Sequence, residues 1–214
     1  MPERELILGG QKSGKSRRGE LLARAWLDGD GARRAVLIAT AQPWDDEMHE
    51  RIARHRRERA LRVPGLRTVE EPLRLAEAIA AHSAPDTLVL VDCLTLWLTA
   101  HLMPMVPPDV PDVPDVPDVP DVPDVPDVPD VPDVPVGSAG PAAAAIRALI
   151  AAIGAARGPL VLVGNEIGLG VIPMGREVRA FVDALGRLNQ DVAAACDRVT
   201  LMAAGLPLTL KEPA

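Results

Sequence analysis

The stretch LILGGQKSGKS, residues 6–16, admits few folds. Its second part, Gly9–Ser16, fits the pattern G-x-x-x-x-G-K-S, follows an apolar run of strand length and opens a helical stretch. Glycines let the main chain curl around an anion, and the N–H groups at a helix start point at it. Gly9, Gly10, Gln11, Lys12, Ser13, Gly14, Lys15 and Ser16 therefore read as a phosphate-binding loop (a P-loop). Lys15 is expected to reach the β and γ phosphates of a nucleoside triphosphate, and Ser16 to hold Mg²⁺. Such a loop needs a strand on one side and a helix on the other.

The rest of the chain supplies that context. Residues 6–10, 35–40, 87–93, 159–166, 198–205 and 207–211 read as strands, and 15–27, 45–60, 73–82, 94–103, 141–156 and 175–195 as helices. Several of the strands are continuously apolar, as strands buried on both faces are. The alternation predicts an α/β fold: a P-loop NTPase-like, mostly parallel sheet flanked by helices, with an antiparallel edge hairpin at the C-terminus. One domain is expected over 1–214, interrupted at 108–134 by nine PDV units. Proline at every third residue favours polyproline II, which would align the aspartates on one edge over roughly 80 Å. This tract reads as a semi-rigid spacer in a surface loop.

The spacer also explains the acidity. Without its nine aspartates the formal charge of −7 becomes +2. With 2% aromatic residues and no basic stripe, nucleic acid is not an expected partner. The most apolar region, 87–103, contains Asp92 and divides into a strand and a helix rather than a membrane span. Residues 1–10 lack the basic-then-apolar pattern of a secretory signal, and Cys93 and Cys196 lie in apolar contexts suited to reduced thiols. A cytoplasmic location is expected.

Three further features bear on chemistry. Asp92 ends the strand TLVLVD, where P-loop proteins place a carboxylate on Mg²⁺, directly or through water. The segment DDEMHERIARHRRER, 45–59, reads as a helix with acidic residues first and arginines last, matching the helix dipole. Met48, Ile52 and His55 share one face of it, which turns His55 towards the protein body. The positive charges around His55 disfavour imidazolium and leave a neutral ring to act as a nucleophile. Asn165 and Glu166, in GNEIGLGVIP (164–173), follow a strand end, where open α/β sheets place ligands. Asn189 and Gln190 are weaker signals of the same kind.

Together these motifs resemble the bifunctional adenosylcobinamide kinase / adenosylcobinamide-phosphate guanylyltransferase family of cobalamin biosynthesis. The similarity is carried by LILGGQKSGKS, LIATAQPWDDEMHERIARHRRER, RTVEEP, LVLVDCLTLWL, LVGNEIGLGVIP and GRLNQDVAAACDRVTLMAAGLPLTLK, in that order. It implies phosphorylation of adenosylcobinamide by ATP or GTP. It then implies transfer of GMP from GTP to adenosylcobinamide phosphate through a GMP–histidine at His55. The resemblance also implies nucleotide contacts at Gly9–Ser16, at Ala39, Thr40 and Ala41, at Arg56, Arg57, Glu58 and Arg59, and at Glu70 and Asp92. Lys15 would act with His55 in catalysis, Mg²⁺ would sit on Ser16 and Asp92, and the assembly would be a homotrimer. Two positions differ from the family pattern: Val182 replaces an arginine, and Leu37 a common tyrosine. Two other readings fit the motifs alone. One is a small-molecule P-loop kinase without a covalent step. The other is a nucleotide-binding scaffold that uses the PDV tract as a docking arm.

Overall fold

A computed structural model describes residues 4–42, 46–104, 140–171 and 173–213; the PDV tract and the side chains of Met48 and His49 lie outside the described residues. The strands are β1 (Arg4–Gly9), β2 (Arg34–Ala39), β3 (Leu66–Glu70), β4 (Thr87–Asp92), β5 (Leu160–Val163), β6 (Arg198–Ala203) and β7 (Leu206–Lys211). The helices are α1 (Lys15–Leu27), α2 (Asp46–Arg62), α3 (Leu75–His82), α4 (Leu94–Leu102), α5 (Pro141–Gly154) and α6 (Arg176–Ala195). They build a seven-stranded sheet in the order β3-β2-β4-β5-β1-β6-β7. Every neighbouring pair is parallel except β6–β7, the antiparallel edge hairpin expected from the sequence.

The continuous apolar runs have a simple cause. Leu6, Leu8, Val89, Val91, Leu160 and Leu162 point to one face of the sheet, where they pack with Trp97, Leu149, Leu185 and Leu188 of α4, α5 and α6. Ile7, Leu88, Leu90, Val161 and Val163 alternate with them and pack on the other face with Ala23 and Trp26 of α1. Successive strand residues point to opposite faces, so a strand buried on both must be apolar throughout. Burying each such side chain is worth roughly 1.5–3 kcal/mol. α5 opens with Pro141 in its first turn, where a missing N–H costs nothing.

One strand escaped the sequence reading. β3, LRTVE, is an edge strand whose residues are at most half-buried. It needs no continuous apolar run, so no such run marks it. The parallel strands all end on the same side of the sheet, which brings together Gly9, Ala39, Asp92 and Val163. Among the described residues no helix is long and apolar enough to cross a membrane.

Candidate active site

The loop between β1 and α1 is shaped by its glycines and held from two sides. Gly9 has φ +150°, and a Cβ there would lie 2.5 Å from the Met202 carbonyl oxygen and 2.7 Å from Ser13 Oγ. Gly14, the residue before α1, is left-handed with φ 98°. That conformation costs glycine little and other residues more. The Gly205 N–H of the β6–β7 turn donates to Ser13 O at 3.1 Å, and the Glu166 N–H donates to Gly9 O at 3.1 Å. Gly10, Gln11 and Lys12 stay exposed at the tip, while Ser13 and Lys15 are buried. Lys15 Nζ donates to Gly10 O at 2.6 Å. Burial lowers the lysine's pKa, and the fields of Cys93 and Asp92 oppose that shift. A desolvated ammonium held against the loop's main chain at the start of a helix is suited to an anionic ligand.

Asp92 lies at the end of β4, in register with Ala39 on one side and Val163 on the other. Burial raises the pKa of its carboxyl; a hydrogen bond from Ser16 and the charges of Arg59 and His55 pull it down, and Glu20 pushes it up. Ser16 and Asp92 thus form a pair of adjacent oxygen donors. Among the described residues no three His, Cys, Asp or Glu side chains cluster as a metal cage. A hard cation held by one carboxylate, one hydroxyl and substrate phosphates requires no such cage.

The raised Asp92 pKa has a signed consequence. A carboxyl that binds its proton more tightly when folded favours folding below its unfolded pKa. That contribution is lost as pH rises through the folded value. At pH 8, Asp92→Asn removes the charge from this half-buried position, so the ligand-free protein should gain about 1 kcal/mol. For a chain of this size that is roughly 2–4 °C in Tm. The gain should shrink towards pH 5. Melting curves of both proteins at the two pH values test this, and an Asp92→Asn protein less stable at pH 8 would refute it.

α2 brings the second half of the site. Ile52 and His55 are half-buried on its inner face, and His55 neighbours Asp92. One turn on, Arg59 is buried and its Nε–H donates to Glu20 Oε1 of α1 at 3.3 Å. Arg62 pairs with the other Glu20 oxygen, and Arg56 pairs with Glu70. Arg57 and Glu58 face solvent. Thr40 is buried, and its hydroxyl donates to Cys93 O at 2.7 Å and accepts from the Cys93 N–H at 2.8 Å. Ala39, Thr40 and Ala41 therefore offer a ligand main-chain groups only.

The structure groups Gly9–Ser16, His55, Arg59 and Asp92. Glu70 and its partner Arg56 lie at the β3 edge, four strands from β1 and so roughly 19 Å away. Two carboxylates were missed by sequence reasoning. Glu20 carries no motif. Glu5, 1% exposed, accepts from Arg18 at 3.0 and 3.2 Å and from Thr200 Oγ1 at 2.9 Å, which ties α1 to the sheet beneath the loop. Only an acidic residue inside an otherwise apolar strand hinted at the second.

A parallel sheet, a glycine-shaped loop leading into α1 and a carboxylate at the end of the neighbouring apolar strand β4 define a P-loop α/β protein. A sequence model described as "Cobinamide kinase / cobinamide phosphate guanyltransferase" matches residues 5–210. The bifunctional adenosylcobalamin biosynthesis protein CobP of Pseudomonas aeruginosa is 38% identical over 211 residues, covering 98% of this chain and 99% of its own. Those named CobU in Escherichia coli and Salmonella typhimurium are 35% and 34% identical over 206 residues, covering 96% of this chain and 98% of theirs. The chain belongs to the cobinamide kinase / cobinamide phosphate guanyltransferase family, and is a transferase with kinase and nucleotidyltransferase activities.

Proposed function

We propose that this chain phosphorylates a hydroxyl of adenosylcobinamide with ATP or GTP, then moves GMP from GTP to that phosphate through a GMP–histidine at His55. The observation that carries this reading is a single one: His55 is half-buried on α2 one turn before Arg59, which ties that helix to Glu20 of α1, the helix that the phosphate loop opens. A His55 ring nitrogen attacks the α-phosphorus of GTP, and the bond to the pyrophosphate oxygen breaks. An oxygen of the acceptor phosphate then attacks the same phosphorus, and the imidazole leaves. Splitting one transfer into two is the benefit of a covalent nucleotidyl enzyme.

In this reading the Gly9–Ser16 loop wraps the phosphates, Lys15 and Arg59 offset their charge, and Arg56 and Arg57 meet the nucleotide further along α2. The main chain of Ala39–Ala41, with Glu58 and Glu70, takes the rest of the nucleotide. Mg²⁺ would rest on Ser16 and Asp92, whose paired oxygens suit a hard cation, and would neutralise charge on the transferring group. We place the enzyme in the cytosol, where the free and buried Cys93 and Cys196 stay thiols. We also assign it a homotrimer: β7 leaves Leu206, Leu208 and Leu210 exposed, an apolar edge suited to another copy. Sedimentation should give the mass of three chains, and a monomer at micromolar concentration would overturn that assignment.

The transfer step is tested with α-labelled GTP and Mg²⁺, followed by denaturation and mapping. Acid-labile, base-stable label on His55, absent with γ-labelled GTP, is the expected result. No label on protein that binds nucleotide would leave a kinase without a covalent step.

A further inference from the structure

The loop after β5 holds a carboxylate that the nucleotide chemistry leaves unused. β5 lies between β1, which leads into the phosphate loop, and β4, which ends in Asp92. Asn165 and Glu166 follow it and are tied to both neighbours. The Glu166 N–H donates to Gly9 O at 3.1 Å, and the Asn165 N–H donates to Thr95 Oγ1, at the start of α4, at 2.9 Å. The Glu166 main chain is thus bonded to the loop that would wrap the phosphates.

The Glu166 side chain is held as well. Its Oε1 accepts from the Gly168 N–H at 3.1 Å and its Oε2 from Asn189 Nδ2 at 3.4 Å. Asn189 of α6 is 4% exposed, and the same Nδ2 donates to Asn165 O at 3.0 Å. Both partners of this nitrogen are acceptors, so the amide orientation follows from chemistry. Its Oδ1 is buried without a protein partner among the described residues. A buried asparagine left half-satisfied in order to support one carboxylate is costly unless that carboxylate has a role. The carboxylate keeps lone pairs free beyond its two bonds, and Glu166 is only half-buried.

We propose that Glu166 receives the attacking hydroxyl of the acceptor in the phosphorylation step, with Asn189 as the positioning residue that aims it. This rests on the function proposed above. The nucleotide contacts proposed there lead from the loop after β1 to β4, β2 and β3, and β5 lies between β1 and β4, so Glu166 stands beside the path of the phosphates, on the side of the loop that follows β5. That side is apolar beyond Glu166: Ile167, Leu169, Val171 and Met174 are all exposed, the last two at 96%. An apolar, exposed loop suits the body of a bulky acceptor whose hydroxyl enters at its base. In the step, the hydroxyl oxygen bonds to the γ-phosphorus and the bond to the β–γ bridging oxygen breaks. The hydroxyl proton passes to the Glu166 carboxylate and then to water, and the nucleoside diphosphate leaves.

The test uses the full chain with ATP and adenosylcobinamide, and compares wild type with Glu166→Gln and Asn189→Ala. Glu166→Gln should lower kinase kcat by about 10²-fold, the usual loss of a proton acceptor, with KM for ATP unchanged. Formation of GMP–histidine from GTP involves no acceptor hydroxyl and should stay within about twofold. Asn189→Ala should cost about tenfold in kcat, and should add little on top of Glu166→Gln because the two act as a unit. Equal losses in both reactions would make Glu166 a structural residue and overturn the proposal, as would an unaffected kinase kcat. Failure of the underlying activity assignment would appear in the wild type, and failure of Glu166 in the variants alone.

Discussion

His55→Ala is expected to lower guanylyl transfer by roughly 10³-fold or more, about 4 kcal/mol of transition-state stabilisation, and to leave phosphorylation within a few-fold of wild type. The asymmetry follows from the site. In the proposed mechanism phosphorylation uses the loop, Lys15, Ser16 and Asp92, none of which His55 holds in place. Transfer through a covalent intermediate needs a nucleophile, and the described residues provide no substitute. The buried Cys93 thiol has a pKa pushed up to about 11, chiefly by desolvation and then by Asp92, so it supplies almost no thiolate. Lys15 donates to Gly10 O at 2.6 Å. Imidazole added to the His55→Ala protein should restore part of the transfer by entering the vacated space. Separate assays of the two half-reactions decide the matter. A variant that transfers GMP at the wild-type rate would remove His55 from the mechanism.

How much of this was legible depended on whether a residue's reason lay in its neighbours along the chain. β1, β2, β4 and β5 were readable because central parallel strands are buried on both faces, and that condition writes itself as an apolar run. β3 needs only one neighbour and a half-buried surface, so LRTVE left no such mark. The loop was readable because wrapping phosphate demands particular residues at fixed spacing, with Gly9 too close to Met202 O for any side chain. His55 was marked in the sequence by the arginines around it, and its role in transfer is the proposal made above. On the stripe read as Met48, Ile52 and His55, the last two are half-buried, and the Met48 side chain lies outside the described residues.

What could not be read was how those arginines divide their work. The family resemblance implied nucleotide contacts at Arg56, Arg57, Glu58 and Arg59 alike. The fold pairs Arg56 with Glu70, buries Arg59 against Glu20 and leaves Arg57 in solvent. Glu20 and Arg59 are 39 residues apart, so no local pattern links them. A lone glutamate on an amphipathic helix reads as solvated, and only packing of α2 on α1 shows that it is not. The sequence likewise marked Asn165 and Glu166 as a strand-end pair, but their ties to Gly9, Thr95 and Asn189 come from three separate elements.

The same packing sets the largest expected effect on stability. The Glu20 side chain is 5% exposed, and its partners Arg59 and Arg62 are 10% and 31% exposed. Glu20→Ala leaves the Arg59 guanidinium buried without its carboxylate, a loss of roughly 3–5 kcal/mol. At about 2–4 °C per kcal/mol for a chain of this size, Tm should fall by about 10 °C. The cost lies in the stranded charge, so replacing Arg59 by leucine in the same protein should recover most of it. A fall in Tm of less than 2 °C, or no recovery in the double variant, would refute this account. The two activities should also separate. The phosphate loop has its own anchors in Gly205 N–H and Glu166 N–H, whereas α2 reaches α1 through Glu20 and through Arg24 Nη1, which donates to Arg62 O at 3.1 Å. Below its melting range, Glu20→Ala should therefore lose GMP–histidine formation before it loses phosphorylation. The buried carboxylate would then serve transfer without touching the nucleotide, by keeping the helix that carries His55 against the helix that carries the loop.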